Sequence, residues 1–396
     1  MFKLRAILCL GAALSAPAAF AQVSLPTPNS DSQANNTGSP VAYVYVASTP
    51  AGSKTNEIVA YSAATNGALS PVPGSPFQDN VFSMAVNGKY LMAASVSAPD
   101  VNTYQIGSNG ALTYATATNY AQYNTNSCGG VRQIFFDHTG ATLYLQEYYI
   151  DCANGGDASF AVVKSSGALT YLGNTITGAF PGDYTGTYFI GDNVYAYSAD
   201  QSGCMYPAIY GFQRQSSGLL TVTNNFQSIR PTSPPGQGPY YPDLAVADPS
   251  NHLAIIEQPT NAPSCAVGPL QLAVYTADAN GNLSTTSTYK NMPATLIVNP
   301  YDMKISPSGK LLAVAGQEGL QIFHFRGANP IRHYTNLITT DPINQMFWDN
   351  KNHLYAISSS TSRLYVFTIT PTTNKMAPGS PYTISSPRAV VVQPLP

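Results

Sequence analysis

Charged side chains make up only 9% of this 396-residue chain, so those standing where a reacting or binding group would be wanted can be followed singly. Arg132 and Glu147 form the best pair for hydrolytic chemistry. An ionised glutamate takes a proton from water, and a guanidinium opposite it stabilises the oxyanion that develops. Tyr240, Tyr241, Asp243, Tyr301, Asp302 and Arg388 stand where apolar runs begin, while Glu257 and Glu318 stand where such runs end. This set is expected to line a ligand surface, with tyrosine rings stacking on flat or sugar-like faces. The structural alternative is ion pairs and strand caps for the charged residues, and sheet packing for the tyrosines. The sequence has no Cys-x-x-Cys, paired histidines or spaced Asp-rich loop, so no metal is expected, nor any other cofactor. Asp151 and Asp157 read as a solvated loop before they read as a cation site.

The elements that must position these residues are short strands. Hydrophobic residues make up 44% of the chain, with 31 Gly, 31 Pro and 27 Tyr, and 17 Lys plus Arg balance 19 Asp plus Glu. That composition excludes a disordered chain, and it leaves no basic footprint for nucleic acid. Residues 1–21 read as a secretory signal peptide: Lys3 and Arg5, an apolar stretch from Ala6 to Leu14, and Ala19-Phe20-Ala21 before a cleavage site. Residues 22–40 read as a flexible Ser/Asn/Pro-rich leader. No later stretch holds about 18 uninterrupted apolar residues, so membrane insertion is not expected. A secreted or periplasmic monomer follows.

From Val41 onward one unit recurs. Asn66-Gly67-Ala68-Leu69, Asn109-Gly110-Ala111-Leu112, Ser166-Gly167-Ala168-Leu169, Ser217-Gly218-Leu219-Leu220 and Asn280-Gly281-Asn282-Leu283 each follow an alternating strand, with weaker versions near Gly327 and Asn374. Such dipeptides supply the positive φ of tight hairpins. A second turn sits earlier in each unit, as in Ser306-Pro307-Ser308-Gly309-Lys310-Leu311. Residues 41–396 therefore predict an all-β, seven-bladed propeller of four-stranded blades. Both ends are fragments of a unit, so Arg388 to Gln393 is expected to pair with Val41 to Ser48 and close the ring. The Gly-Ser-Pro strings at Gly74 and Gly379 belong on outer edge strands.

Tyr43-Val44-Tyr45-Val46-Ala47-Ser48, the Asn-Gly-Ala-Leu turns, Ser306 to Val314 and the Gly-Ser-Pro-Phe string resemble the seven-bladed lactonase-like propellers, the 6-phosphogluconolactonase-related family with YVTN-type repeats. The resemblance covers Val41 to Pro396 and implies a lactone hydrolase, with Arg132 and Glu147 as its pair. Family lactonases would also place a histidine on the top face, where the links between blades and between second and third strands gather. Here His138, His252 and His353 fall in hairpins on the opposite face, and His324 and His333 fall in outer strands, so a histidine-dependent mechanism is not expected. The two Asn-His-Leu strings at Asn251 and Asn352 read as chance. Long top-face loops then favour a scaffold that binds a lactone, a glycan or a protein over an enzyme. Four cysteines remain after the leader, and the blade map pairs Cys128 with Cys152 and Cys204 with Cys265.

Overall fold

The computed structural model describes residues 39–95, 99–123, 131–147, 156–176, 186–200, 208–223, 229–260 and 268–396, with only the backbone of Arg132, Glu147, Gly156, Ile176, Asp200 and Ala208. The expected signal peptide, most of the leader, Asp151 and the four cysteines expected to pair lie outside the described residues.

Seven antiparallel sheets carry the chain. Blade two comprises Ser83–Val86, Tyr90–Ala94, Asp100–Ile106 and Leu112–Asn119. Blade three comprises Val131–Phe136, Thr142–Glu147, Gly156–Val162 and Leu169–Ile176, and blade four Tyr188–Phe189, Tyr195–Asp200, Ala208–Arg214 and Leu220–Val222. Tyr240–Ala247, His252–Pro259, Gln271–Ala277 and Leu283–Ser284 form blade five; Pro300–Ile305, Leu311–Gly316, Gly319–Arg326 and Asn329–Thr339 form blade six. Blade seven holds Gln345–Trp348, His353–Ser358, Arg363–Thr370 and Thr373–Met376. Blade one takes its first strand from the C-terminus, Pro387–Pro394, and the rest from Ala42–Ser48, Glu57–Ala63 and Leu69–Pro71. Val44 faces Val392 and Val46 faces Val390 across that closing ladder, as the two fragmentary ends require.

Blades pack face to face, so a second strand has neighbours on both sides and its sequence loses the apolar–polar alternation of a half-solvated sheet. Ala42–Ser48, Tyr90–Ala94, Leu311–Gly316 and His353–Ser358 are buried at every position.

The glycine turns do more than reverse the chain. Each lies against a side chain near the start of the preceding blade's second strand. A Cβ on Gly110, Gly218 or Gly281 would stand 2.4 Å from Tyr43, Thr142 or Tyr195 respectively. A Cβ on Gly167, Gly327 or Gly67 would stand 3.1, 3.0 and 3.1 Å from Tyr90, His252 and His353. Three tyrosine hydroxyls reinforce these latches: Tyr45 donates to the Gly110 carbonyl at 2.9 Å, Tyr144 to Gly218 at 2.7 Å and Tyr197 to Gly281 at 2.8 Å. The Asn-His-Leu strings, read as chance from sequence, thus place imidazoles where other blades place tyrosine or threonine. Each ring is fixed by an aspartate four residues earlier, His252 by Asp248 at 2.8 Å and His353 by Asp349 at 2.7 Å. A carboxylate only accepts, so Nδ1 carries the proton in both pairs.

Outer edges use a second repeated device. Ser75, Ser287, Thr335 and Ser380 accept the third-strand amides of Ala60, Val274, Ile322 and Val366 at 2.8–3.0 Å, each hydroxyl replacing a ladder carbonyl. In blades one and seven this occurs at the Gly-Ser-Pro strings, where the edge divides and Phe77–Gln78 and Tyr382–Thr383 resume pairing. The buried Ile322 amide would lose its acceptor in Thr335→Val, which keeps shape and strand propensity. Urea unfolding should show a loss of about 1–3 kcal/mol; unchanged stability would mean that the hydroxyl is dispensable.

Candidate ligand site in the central channel

The first strands surround an axial channel, and their starts share a local distortion. The ladder skips Arg132, Asp243, Tyr301 and Arg388, since in each case the residues on either side pair with consecutive partners on the second strand. A bulge places an extra residue where a strand enters the sheet and re-aims its side chain. Four residues chosen from sequence therefore occupy one equivalent position in blades three, five, six and one. The Glu147 backbone faces Val131, next to the Arg132 bulge; the side chains of Arg132 and Glu147 are outside the description.

The residue after this position ties neighbouring blades together. Ser83 Oγ accepts the Ile134 amide at 3.0 Å, Asp302 Oδ2 accepts Met346 at 2.8 Å, and Gln345 Oε1 accepts Val390 at 2.7 Å. Asp302, expected to contact ligand, thus has one oxygen committed to the next blade. Its other oxygen holds Lys304 Nζ at 2.7 Å. Two residues apart on one strand, both side chains take the same face.

Lys304 is the group that sequence reading passed over. Burial pushes its ammonium pKa down, but the Asp302 carboxylate, aided by Tyr188, more than reverses this and holds the pKa well above the ordinary lysine value. Its ammonium stands 5.3 Å from the centre of the Tyr188 ring, which arrives from blade four. Around them lies a cavity of about 700 Å³ whose walls include Gln133, Phe135, Thr187, Gln345 and Phe347. The polar walls are partly organised: Gln133 donates to Gln146 at 3.0 Å, and Thr187 donates to buried Asp157 at 3.1 Å. His138 reaches the cavity's lower rim. The sequence signal was available, since Lys304 occupies a register that the other first strands fill with Val391, Ala85, Phe135, Phe189, Val246 and Phe347.

The remaining expected residues are dispersed. Tyr301 is 45% exposed, and the apolar Leu296 and Val298 a few residues earlier in the chain are exposed as well. Arg388 is exposed, and its Nε donates to Thr49 at 2.8 Å. Glu318 closes a loop by accepting the amides of Val298 and Asn299 and the Asn299 side chain; partial burial opposes ionisation, yet these bonds bring its pKa below the usual range. Tyr240 and Glu257 are fully buried rather than displayed to a ligand. Tyr240 donates to Gln271 at 2.6 Å, and burial, then the Glu257 charge, pushes its phenol up to about 12. Burial raises the Glu257 carboxyl to about 8 despite Arg230 and the Tyr275 hydroxyl. Asp243 and Tyr241 are half-buried, and burial lifts the Asp243 carboxyl to about 6. Among the described residues no three His, Cys, Asp or Glu side chains gather as a metal site would require. No described helix is long and apolar enough to cross a membrane.

No protein-family model and no curated protein matches the sequence. Solved structures do match the fold. A Bacteroides fragilis protein provisionally assigned as a 6-phosphogluconolactonase superposes with a TM-score of 0.65 at 13% identity, over 90% of this chain and 98% of that one. A Bacteroides uniformis protein with the same provisional assignment gives 0.62 at 14% identity, over 89% and 99%. A periplasmic gluconolactonase of Pseudomonas aeruginosa gives 0.60 at 13% identity, over 90% and 99%. The chain is similar to these proteins as a lactonase-like, seven-bladed propeller, a likeness of fold.

Proposed function

With the lactonase-like propeller fold as premise, we propose that this chain is an exported binding protein that takes a small, sugar-like molecule in its axial channel and does not turn it over. The observation that carries this reading is the channel itself. A cavity of about 700 Å³ walled by Phe135, Tyr188 and Phe347 with a few convergent amide, hydroxyl and ammonium groups has the size and balance of a small-molecule site. Aromatic faces stack on the apolar side of a sugar ring, while Gln133, Gln345, Thr187 and Lys304 bond to hydroxyls or a carboxylate. The exported half of the reading is supported by the signal-peptide pattern of residues 1–21 and by likeness to a periplasmic protein. It carries with it the proposed Cys128–Cys152 and Cys204–Cys265 disulfides.

The second reading, a lactone hydrolase with Glu147 as base and Arg132 as oxyanion donor, is favoured by the fold likeness to a gluconolactonase. Against it, three of the carboxylates expected at the site have other roles: Asp302 in a blade bridge, Glu318 in a loop cap and Glu257 in the interior. Asp243, half-buried at an entry bulge, is the described carboxylate that a hydrolytic reading would turn to next. The binding reading is tested by a glycan array followed by titration calorimetry. Saturable binding weakened about tenfold by Lys304→Met is expected, from loss of one charge-assisted contact. Equal binding by wild type and variant, or binding only at the exposed loops, would reject the channel as the site.

A further inference from the structure

We propose that a groove on the hairpin face, between blades five, six and seven and adjoining the channel cavity, with which it shares Asp248, binds the phosphate or sulfate group of a sugar-sized ester. The groove encloses about 770 Å³ and is lined by Lys310, His324 and Arg326 with the hydroxyl residues Ser250, Ser308 and Thr372. It opens where the latch between blades changes. At six junctions a tyrosine, threonine or histidine sits against the next blade's glycine turn. At the junction of blades six and seven the corresponding residue is Leu311, fully buried beneath the surface, and the facing turn is Pro371-Thr372 with no glycine. No ring covers that corner, and the groove occupies it.

Its charge is unusual for so nearly neutral a chain. Lys310 and Arg326 are exposed, and neither enters any ion pair found among the described residues. Arg332 stands opposite His324 across the outer ladder, on the same sheet face. The one carboxylate lining the groove, Asp248, directs its oxygens to the His252 ring and to the amides of Ser250 and His252, and its single negative charge is outnumbered by Lys310 and Arg326. Cations on two separate turns, with hydroxyl donors on three, surround an oxyanion from several directions. That suits a tetrahedral group better than a flat carboxylate, which one guanidinium grips edge-on.

Titration calorimetry of the full chain with glucose 6-phosphate, glucose 6-sulfate and glucose tests the proposal. Both esters should bind saturably and glucose about a hundredfold more weakly, with any preference between the esters identifying the source of the group. The Lys310→Gln, Arg326→Gln double variant should lose about tenfold or more in ester affinity. A Lys54→Gln, Lys290→Gln control, with the same change in net charge at distant exposed sites, should retain it, and circular dichroism should confirm that both variants fold. Esters that bind no better than glucose, a double variant with wild-type affinity, or a control that loses as much would each overturn the proposal.

Discussion

Glu257→Gln should make the protein markedly more stable at pH 9 and leave it nearly unchanged at pH 5. Glu257 is completely buried, with the Tyr275 hydroxyl 3.3 Å from Oε2 and 3.4 Å from Oε1, and burial raises its carboxyl to about 8 from an ordinary 4.5. Below the ordinary value both folded and unfolded chains hold the proton. As the pH rises the unfolded chain releases it first, so the folded state binds more protons and loses stability progressively up to about pH 8. Beyond that the carboxylate is charged in both states, and the loss is complete. The size of the raised value corresponds to a difference on the order of 4 kcal/mol between the two ends of the window. Glutamine has the same shape, accepts from Tyr275 and has no charge to bury, so the variant should lack this dependence. Paired urea titrations at pH 5 and pH 9 measure it. A wild-type–variant difference that does not change with pH would show that Glu257 reaches solvent or is fully compensated by Arg230.

Gly281→Ala should cost about 3 kcal/mol or more, a larger loss than substitution of a glycine that only turns the chain. Gly281 combines φ of +77° with a Cβ position 2.4 Å from Cδ1 of Tyr195, a ring of the preceding blade. The left-handed conformation costs alanine about 1–2 kcal/mol, and displacing a packed ring adds a comparable amount. Gly88, at φ +92° with nothing within 4 Å of its Cβ position, carries only the first of these. Comparing thermal and urea unfolding of Gly281→Ala with Gly88→Ala isolates the latch. Tyr195→Leu in the Gly281→Ala background should recover part of the loss. Equal destabilisation by the two alanines would mean that the blades do not depend on this close approach.

The fold was legible because its punctuation is local. An Asn-Gly hairpin or a Pro-Ser-Gly turn is written in consecutive residues, and counting such turns yields both the blade number and the shared first blade that Val44 and Val392 complete. What the glycines touch was not legible. Gly110 and Tyr43 meet only after the ring assembles, and His252 and His353 look unrelated until their blades show them at the position held elsewhere by tyrosine or threonine. The candidate site was read unevenly for the same reason. Arg132, Asp243, Tyr301 and Arg388 were found because a polar residue opening an apolar run stands out in one strand. Glu257 stands out equally, yet it is interior: Ile255-Ile256-Glu257 reads as a strand running into a loop, whereas the strand continues to Pro259 and Glu257 is paired on both sides within its own blade. Lys304 was passed over because its importance comes from Tyr188, more than a hundred residues earlier. Only alignment of the first strands against one another shows a cation in an otherwise apolar register.

A panel of sugar and alkyl lactones assayed with the purified chain at neutral pH, beside an Arg132→Ala, Glu147→Ala double variant, tests the binding-without-turnover reading most directly. The expected result is hydrolysis no faster than in buffer for either protein. Turnover of any lactone by the wild type that disappears in the double variant would contradict it and make the chain an enzyme.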